Sequence, residues 1–560
     1  MSLVATLQAR LGAAFAAVAG ESVDPALRRS RRADYQADGA LAAARALGRD
    51  PRELATAALA LDPLADLCSV AEVAGPGFVN LTVRDDVLSG LADTMAADER
   101  LGVAPAEHQE TVVLDYSGPN AAKEMHVGHL RSTIIGDAIG RLLEHLGHRV
   151  IRQNHVGDWG TPFGMLIEHL VDTGATVGGP VADLSAFYRA ARREFDADET
   201  FRERARRRVV ALQSGDAPTQ RLWRTLVSES VRYFDTVYGR LGVRLTPADV
   251  AGESGYHDRL EPVADELDRL GLLRESDGAW CVFPAGFANR DGDPLPLIVR
   301  KADGGYGYDA TDLAAIRYRV RDLGATRLLY VVGTPQREHF RMVFQAAREA
   351  GWLVDGVRAE HVGFGSVLGT DGKMLRTRAG ETVRLTDLLD EAVARAAAQV
   401  RPESDVEPVA AAVGIGAVKY ADHGTDRARD YTFDYDRMLS FDGNTGPYLQ
   451  YAHARIRSIF RRAGSGPGEV GVTEPAEREL VLALLGWPDV VAEVAETLEP
   501  HRLCAYLYGL AGTFTAFYER CPVLRAEPGT RASRLALCAL TARVLALGLD
   551  LLGIEAPDRM

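Results

Sequence analysis

Thr111-Val112-Val113-Leu114-Asp115-Tyr116-Ser117-Gly118-Pro119-Asn120-Ala121-Ala122-Lys123-Glu124-Met125-His126-Val127-Gly128-His129 is the stretch whose reading decides the fold. Its first six residues read as a buried strand, which Ser117-Gly118-Pro119-Asn120 breaks. A helix follows to about Leu146, because Leu130, Ile134, Ala138, Leu142 and Leu146, with Ile135, Ile139 and Leu143, keep a helical period. Gly147 fits as its C-cap. Residues 149–153 read as the next strand. Strand, helix and strand in this order form a βαβ unit, and hence a parallel sheet.

Before this unit, residues 1–108 open with an alanine-rich helical pattern. Gly75-Pro76-Gly77 then makes a turn and Phe78–Val83 alternates as a strand, so a small α+β domain is expected. After it, residues 183–245 are helical and arginine-rich, as an insertion would be. Short strands and helices return up to about 390, with Leu328–Val332 as a clear buried strand. From about 386 the pattern is helical to residue 560, interrupted by one expected flexible linker, Gly464–Gly468. The expected division is therefore 1–108, 109–385 with a helical insertion at about 172–250, and 386–560.

The composition fits several packed cores. The chain has 560 residues, 47% hydrophobic and 25% charged, which excludes wholesale disorder. The formal net charge of -14 excludes nucleic-acid binding through bulk positive charge alone, but allows a local basic surface. Five cysteines with no Cys-x-x-Cys pair make a disulfide framework and a thiolate zinc site poor readings; a reducing, cytoplasmic setting is expected. No basic run precedes an apolar stretch at the N-terminus, so no secretory signal is expected. The apolar segment at 535–554 contains Arg543 and Asp550 and reads as an amphipathic core helix, so no membrane partner is expected. Of 64 basic residues only four are lysine, Lys123, Lys301, Lys373 and Lys419, so a lysine inside a motif carries weight.

Two apparent motifs fail on context. Gly466-Pro467-Gly468-Glu469-Val470-Gly471 has the spacing of a dinucleotide loop, but no strand precedes it and a proline lies inside it. His145-Leu146-Gly147-His148 repeats the pattern of His126–His129, but at a helix C-terminus, where the dipole has the wrong sign for phosphate. His126-Val127-Gly128-His129 lies at a helix N-terminus after a strand, where backbone N–H groups favour phosphate. His126 and His129 share a helical face, and Gly128 would let a nucleotide approach the backbone. Such a site suits nucleotidyl transfer, in which a carboxylate attacks the α-phosphate of ATP and the protein positions and stabilises charge.

The run Asp115 to Ser132 resembles the signature of arginyl-tRNA synthetases, class I enzymes with a Rossmann-type catalytic domain. Asn154-His155-Val156-Gly157-Asp158-Trp159-Gly160 and residues 303–313, 371–380 and 441–457 are similar to further blocks of that family, in order. The resemblance implies an α/β fold: a Rossmann-type parallel-sheet catalytic domain, an N-terminal α+β domain touching the tRNA D-loop, and a C-terminal all-α anticodon-binding domain. It implies L-arginine, ATP with Mg2+ and tRNA(Arg) as partners, with activation dependent on bound tRNA. No dedicated metal site is expected, and a monomer is the default.

What the resemblance implies for single residues can be weighed against plainer readings. Lys123 would contact phosphate; otherwise it is a solvated lysine at a helix start. Lys373-Met374-Leu375-Arg376-Thr377 takes the place of the class I Lys-Met-Ser-Lys-Ser loop, with Arg376 at its second lysine position. Lys123 would then compensate for that departure. Catalytic and ATP contacts thus fall on Lys123, His126, Gly128, His129, Lys373 and Arg376. Tyr308 would pack on the arginine side chain and Asp312 pair with its guanidinium, since guanidinium binds carboxylate bidentately. The alternative for Asp312 is a helix N-cap. Asp115 would add a second carboxylate, where the family often has glutamate; Asn120, Gln336 and His126 would hold the substrate's polar groups.

Phe78 and Asn80 would meet a D-loop base, or else be a core phenylalanine and a turn asparagine. Tyr448, Tyr451 and Arg455 share one helical face and, with Met560, would meet the anticodon; a packing pair of tyrosines is the ordinary alternative. Arg202, Arg204, Arg206, Arg207 and Arg208 read as a solvated face, or as a phosphate patch. Two other functions stay open: a tRNA-binding paralogue without catalysis, against which His126, His129 and Lys373 speak, and a small-molecule ligase, which would not need Phe78 or Tyr448.

Overall fold

A computed structural model describes residues 2–174, 182–376, 382–399 and 406–560. Near the N-terminus, β1 (Leu27–Arg29), β2 (Tyr35–Ala37), β3 (Cys68–Ala74) and β4 (Phe78–Val83) form an antiparallel sheet in the order β1-β2-β4-β3. Gly75-Pro76-Gly77 is the turn into β4; Gly77 has φ 135°, and a Cβ there would lie 2.8 Å from the Pro51 backbone. Helices Leu3–Ala19, Gly39–Leu47 and Pro51–Leu59 bury Leu7, Leu11, Phe15 and Leu54 with Val79 and Leu81 of this sheet.

The deciding stretch forms β5 (Thr111–Asp115), the helix Val127–His145 and β6 (Arg149–Gln153). A small antiparallel sheet follows, of β7 (Leu273–Ser276), β8 (Ala279–Val282) and β9 (Leu297–Arg300). β10 (Arg327–Tyr330) and β11 (Arg358–His361) then join β5 and β6 in a parallel sheet ordered β11-β10-β5-β6. Register sets Asp115 level with Tyr330 on one side and Gln153 on the other. The chain runs outward from β5 to β6 and later from β10 to β11, so order reverses between β5 and β10. A doubly wound sheet binds its ligand at such a point, beyond the C-terminal strand ends.

The helix Val127–His145 is laid on this sheet by Leu130, Ile134, Ile139 and Leu143, all buried. It ends as expected: Gly147 has φ 87° and its N–H reaches the Glu144 carbonyl at 2.9 Å. The inserted helices are Ala182–Ala197, Glu199–Gln213 and Ala217–Leu241. Arg204 pairs with Asp172 at 2.5 Å and Arg208 with Glu168 at 2.8 Å, tying Glu199–Gln213 to helix Thr161–Thr173. Arg202 reaches Glu199, whereas Arg206 and Arg207 are exposed.

Two features differ from the expectation. β12 (Val367–Leu368) pairs in parallel with β13 (Tyr431–Thr432), a strand inside the region read as wholly helical. Two-residue strands carry no readable period. The expected flexible linker is also held down at its last glycine and just beyond: the Gly468 N–H donates to the Ala532 carbonyl at 3.0 Å and the Val470 N–H to the Asp93 carboxylate at 2.8 Å. Helix Pro528–Leu551 is long and apolar enough to cross a membrane, yet it is a core helix: most of it is buried, and its Arg534 pairs with buried Glu477 at 2.7 Å.

Candidate active site

A cleft of about 430 Å³ opens between the ends of β5 and β10. It is lined by Asp115, Asn120, His126, Gly128, His129, Tyr308, Asp312 and Gln336, all singled out in the sequence. His126 caps helix Val127–His145: its Nδ1 accepts from the Gly128 N–H at 3.1 Å, while the His129 Nδ1 accepts from the His126 N–H at 3.0 Å. The imidazole centroids lie 4.0 Å apart. Burial lowers both histidines; His129, also facing His126 and Lys123, is pushed down to about 3. Both rings are therefore neutral near pH 7, and the positive character here is that of the helix N-terminus.

The turn before that helix is fixed by side chains. Ser117 has φ 73°, in the left-handed region. It is held there by its N–H on the Ser132 Oγ at 2.9 Å and its Oγ against the Tyr238 hydroxyl at 2.7 Å. Ser132 in turn donates to the Val331 carbonyl at 2.7 Å, so one hydroxyl links both strand ends and the helix. Asn120 crosses to the following loop, where a Cβ on Gly157 would meet its Oδ1 at 2.3 Å.

The opposite end of the cleft is acidic. Helix Tyr308–Arg321 starts after Gly307, so Asp312 lies inside its first turns and is not its cap. Asp312 Oδ2 lies 2.6 Å from His339 Nε2. Burial alone would lower His339, but that bond and the charges of Asp312 and Asp309 hold it above the usual histidine value. Tyr308 is 69% exposed, with its ring 5.2 Å from that of His339. Asp115 also lines the cleft, but its Oδ2 is 2.7 Å from the buried Arg319 guanidinium, which neutralises it from beneath. The sequence reading missed Glu253: it lines the cleft, and burial followed by the charges of Asp158 and Asp312 pushes its carboxyl up to about 7. His339 and Glu253 had no local signal; only three-residue spacing from Gln336 hinted at the first.

The remaining candidates lie elsewhere. Lys123 is exposed with its Nζ 4.6 Å from the Tyr188 ring centroid, outside the cleft lining. Lys373 is exposed in a turn whose Gly369 N–H donates to the Lys373 carbonyl at 2.7 Å. Arg376 ends the described part of that loop, and residues 377–380 of the family-like block lie outside the described residues. Phe78 is half-buried at the start of β4; Asn80 is a buried mid-strand residue, its Oδ1 accepting from Gln36 at 2.8 Å, and so neither a turn residue nor an open one. On helix Gly446–Ala463, Tyr451 and Arg455 are exposed and Tyr448 half-buried. Tyr448 lies 5.5 Å from the Tyr508 ring and Arg455 lies 5.1 Å from that of Tyr518, both on helix Pro500–Arg520, so the two helices share one aromatic face. Met560 is partly buried against the helical core. Among the described residues no three His, Cys, Asp or Glu cluster as a metal site.

Comparisons with known proteins agree with this fold. Residues 91–435 match the model of the class I tRNA synthetase (R) catalytic domain, 449–560 that of the DALR anticodon binding domain and 3–83 that of the arginyl tRNA synthetase N terminal domain. An arginine–tRNA ligase of Thermobifida fusca is 57% identical, covering 100% of this chain and 99% of the relative. One of Frankia casuarinae is 54% identical with the same coverage. Among solved structures, arginyl-tRNA synthetase from Plasmodium falciparum superposes with a TM-score of 0.86 at 28% identity, and that of Thermus thermophilus with 0.83 at 26%, each over 100% of both chains.

Proposed function

The chain belongs to the class I arginyl-tRNA synthetase family, with an arginine–tRNA ligase's activity, and from that premise we propose how its residues divide the work. Arginine enters with its guanidinium toward Asp312 and Glu253, beside Tyr308, and its α-carboxylate toward the helix N-terminus at His126. The observation that carries this reading is the polarity of one cleft: carboxylates at one end, two neutral imidazoles on a helix N-terminus at the other. The α-carboxylate attacks the α-phosphorus of ATP and pyrophosphate leaves, giving arginyl-adenylate. A terminal ribose hydroxyl of tRNA(Arg) then attacks the acyl carbon and AMP leaves. His126, His129 and the helix N–H groups stabilise charge on the phosphate oxygens. Asn120 and Gln336 orient the amino acid. Magnesium would accompany ATP, bound through its phosphates and offsetting their charge; among the described residues no three His, Cys, Asp or Glu cluster to hold it.

Activation depends on bound tRNA in this reading. Lys373 stands outside the cleft lining, on a loop that follows β12, and β12 is paired to β13, which shortly precedes the anticodon-binding match. tRNA that engages the helical domain therefore bears on the loop that must bring Lys373 and Arg376 to the pyrophosphate, while Lys123 leaves Tyr188 for the same phosphates. Tyr448, Tyr451, Arg455 and Met560 meet the anticodon, and Phe78, with Asn80 behind it, the D-loop. The protein works as a monomer in the cytoplasm, in keeping with five free, buried cysteines. ATP–pyrophosphate exchange with L-arginine, with and without tRNA(Arg), tests this: exchange is expected only with tRNA. Exchange without tRNA refutes the dependence, and no exchange in either condition refutes the catalytic reading.

A further inference from the structure

Asp158, in the loop that follows β6, is 3% exposed and lines no part of the cleft. Its carboxylate is turned to another segment: Oδ1 accepts from the Ser254 N–H at 2.9 Å and Oδ2 from the Ser254 hydroxyl at 2.6 Å. Burying a carboxylate is costly unless it is hydrogen-bonded, and here both oxygens are committed to one turn. The approach is open because Gly252 has no side chain; a Cβ there would lie 2.3 Å from Asp158 Oδ2. Between Gly252 and Ser254 stands Glu253, the first residue of the one-turn helix Glu253–Tyr256.

Three acids line the cleft, Asp115, Glu253 and Asp312. Two of them are held by a partner: Asp115 by Arg319 and Asp312 by His339. The Glu253 carboxylate has no hydrogen bond or ion pair among the described residues, so its direction comes from its backbone. That backbone is tied to the loop after β6. The Asn154 N–H donates to the Asp249 carbonyl at 2.8 Å, the Ala251 N–H to the Asn154 carbonyl at 2.9 Å and the Glu253 N–H to the Val156 carbonyl at 3.1 Å. Asp158 closes this series by gripping Ser254. It is itself anchored, its carbonyl accepting from the Trp223 indole N–H at 2.8 Å. We propose that Asp158 is a positioning residue for arginine selection: it holds the turn Gly252–Ser254 so that Glu253 points into the cleft, and it acts on the substrate only through Glu253. The proposal rests on the reading of Glu253 as a guanidinium partner and adds how that partner is held.

The test is a double-mutant cycle on the full chain, read by isothermal titration with L-arginine. Asp158→Ala should weaken arginine binding about tenfold or more, as Glu253→Gln does. Without the Glu253 carboxylate Asp158 has no charge to place, so Asp158→Ala/Glu253→Gln should bind within about threefold of Glu253→Gln alone. Losses that multiply would show Asp158 acting by another route and overturn the proposal, as would normal arginine binding by Asp158→Ala. Asp158→Asn keeps an acceptor for the Ser254 N–H and should restore most of the affinity; binding as weak as that of Asp158→Ala would refute the grip. In arginylation of tRNA(Arg), Asp158→Ala should raise the arginine KM and leave kcat within about threefold. A matching fall in kcat would mean damage beyond the amino-acid pocket and would also overturn the proposal. Ser254→Ala drops only the hydroxyl bond and carries the cycle should Asp158→Ala not fold: its loss, about threefold, should vanish in the Glu253→Gln background, and persistence there would refute the coupling. Failure of the wild type to bind arginine, or full affinity in Glu253→Gln, would instead strike the reading of the cleft.

Discussion

Glu253 ties burial to substrate choice. Its carboxyl is pushed up to about 7 by burial and then by the neighbouring Asp158 and Asp312 carboxylates. A guanidinium placed beside it favours the ionised form, so arginine binding must expel the proton wherever Glu253 still holds one. Arginine affinity is therefore expected to rise about tenfold from pH 6 to pH 8 and then level off, with about half a proton released per arginine at pH 7. Isothermal titration in buffers of different ionisation enthalpy measures both. His339, held up by Asp312, adds a slope of the same sign as it loses its charge. Glu253→Gln should weaken arginine binding and remove the larger share of the pH dependence; an unchanged profile in that variant would refute the assignment. For stability the sign is reversed. Between its unfolded value near 4.5 and about 7 the folded state binds the extra proton, so this group's contribution falls as pH rises through that window.

Helix Val127–His145 shows how much of the site is written locally. Its period, its start at His126 and its end at Gly147 stand in the sequence, because they are set by neighbours three or four residues away. The parallel sheet followed from the same unit. What could not be read is what the fold brings from far off: Arg319 beneath Asp115, His339 on Asp312, and Glu253. Asn80 shows the same limit, since its burial depends on Gln36 from another strand. The helix also carries a sharp packing test. A Cβ on Gly136 would lie 2.3–2.5 Å from the ring and Cβ of Tyr116, which is fully buried and cannot swing away. Gly136→Ala should therefore destabilise the protein, by roughly 1–3 kcal/mol or more, despite alanine's better helix propensity. Denaturant unfolding measures this, and a neutral or stabilising result would show that the helix is not seated on Tyr116 as described.

The same helix joins the catalytic sheet to the helical domain, and this makes a statement about how the whole chain unfolds. Near its N-terminus Arg131 meets Asp422 at 3.1 Å, both buried. Further along, Arg141 pairs with Asp137 at 2.7 Å and with Asp550 at 3.0 Å, and buried Lys419 donates to the Leu241 and Gly553 carbonyls at 2.7 and 2.5 Å. These groups come from the catalytic helix, the insertion, helix Val406–His423 near the end of the catalytic match, and the end of helix Pro528–Leu551 in the anticodon-binding match, so neither domain satisfies them alone. Exposing one side would leave buried charges unpaired on the other. The two domains are therefore expected to unfold together, in one calorimetric transition, although a chain of this length would ordinarily show separate steps. Asp422→Asn strands the Arg131 charge and should cost about 3–5 kcal/mol. The decisive observation is how the loss is distributed. If the domains are coupled as argued, near-ultraviolet circular dichroism and arginine activation fail at one lowered midpoint. Two transitions, with only the helical domain shifted, would mean that the ion pairs decorate the interface without binding it. The arrangement has a functional side: the helix carrying His126 and His129 is anchored through Arg131 to helix Val406–His423 and through Arg141 to Asp550 of the domain proposed to read the anticodon.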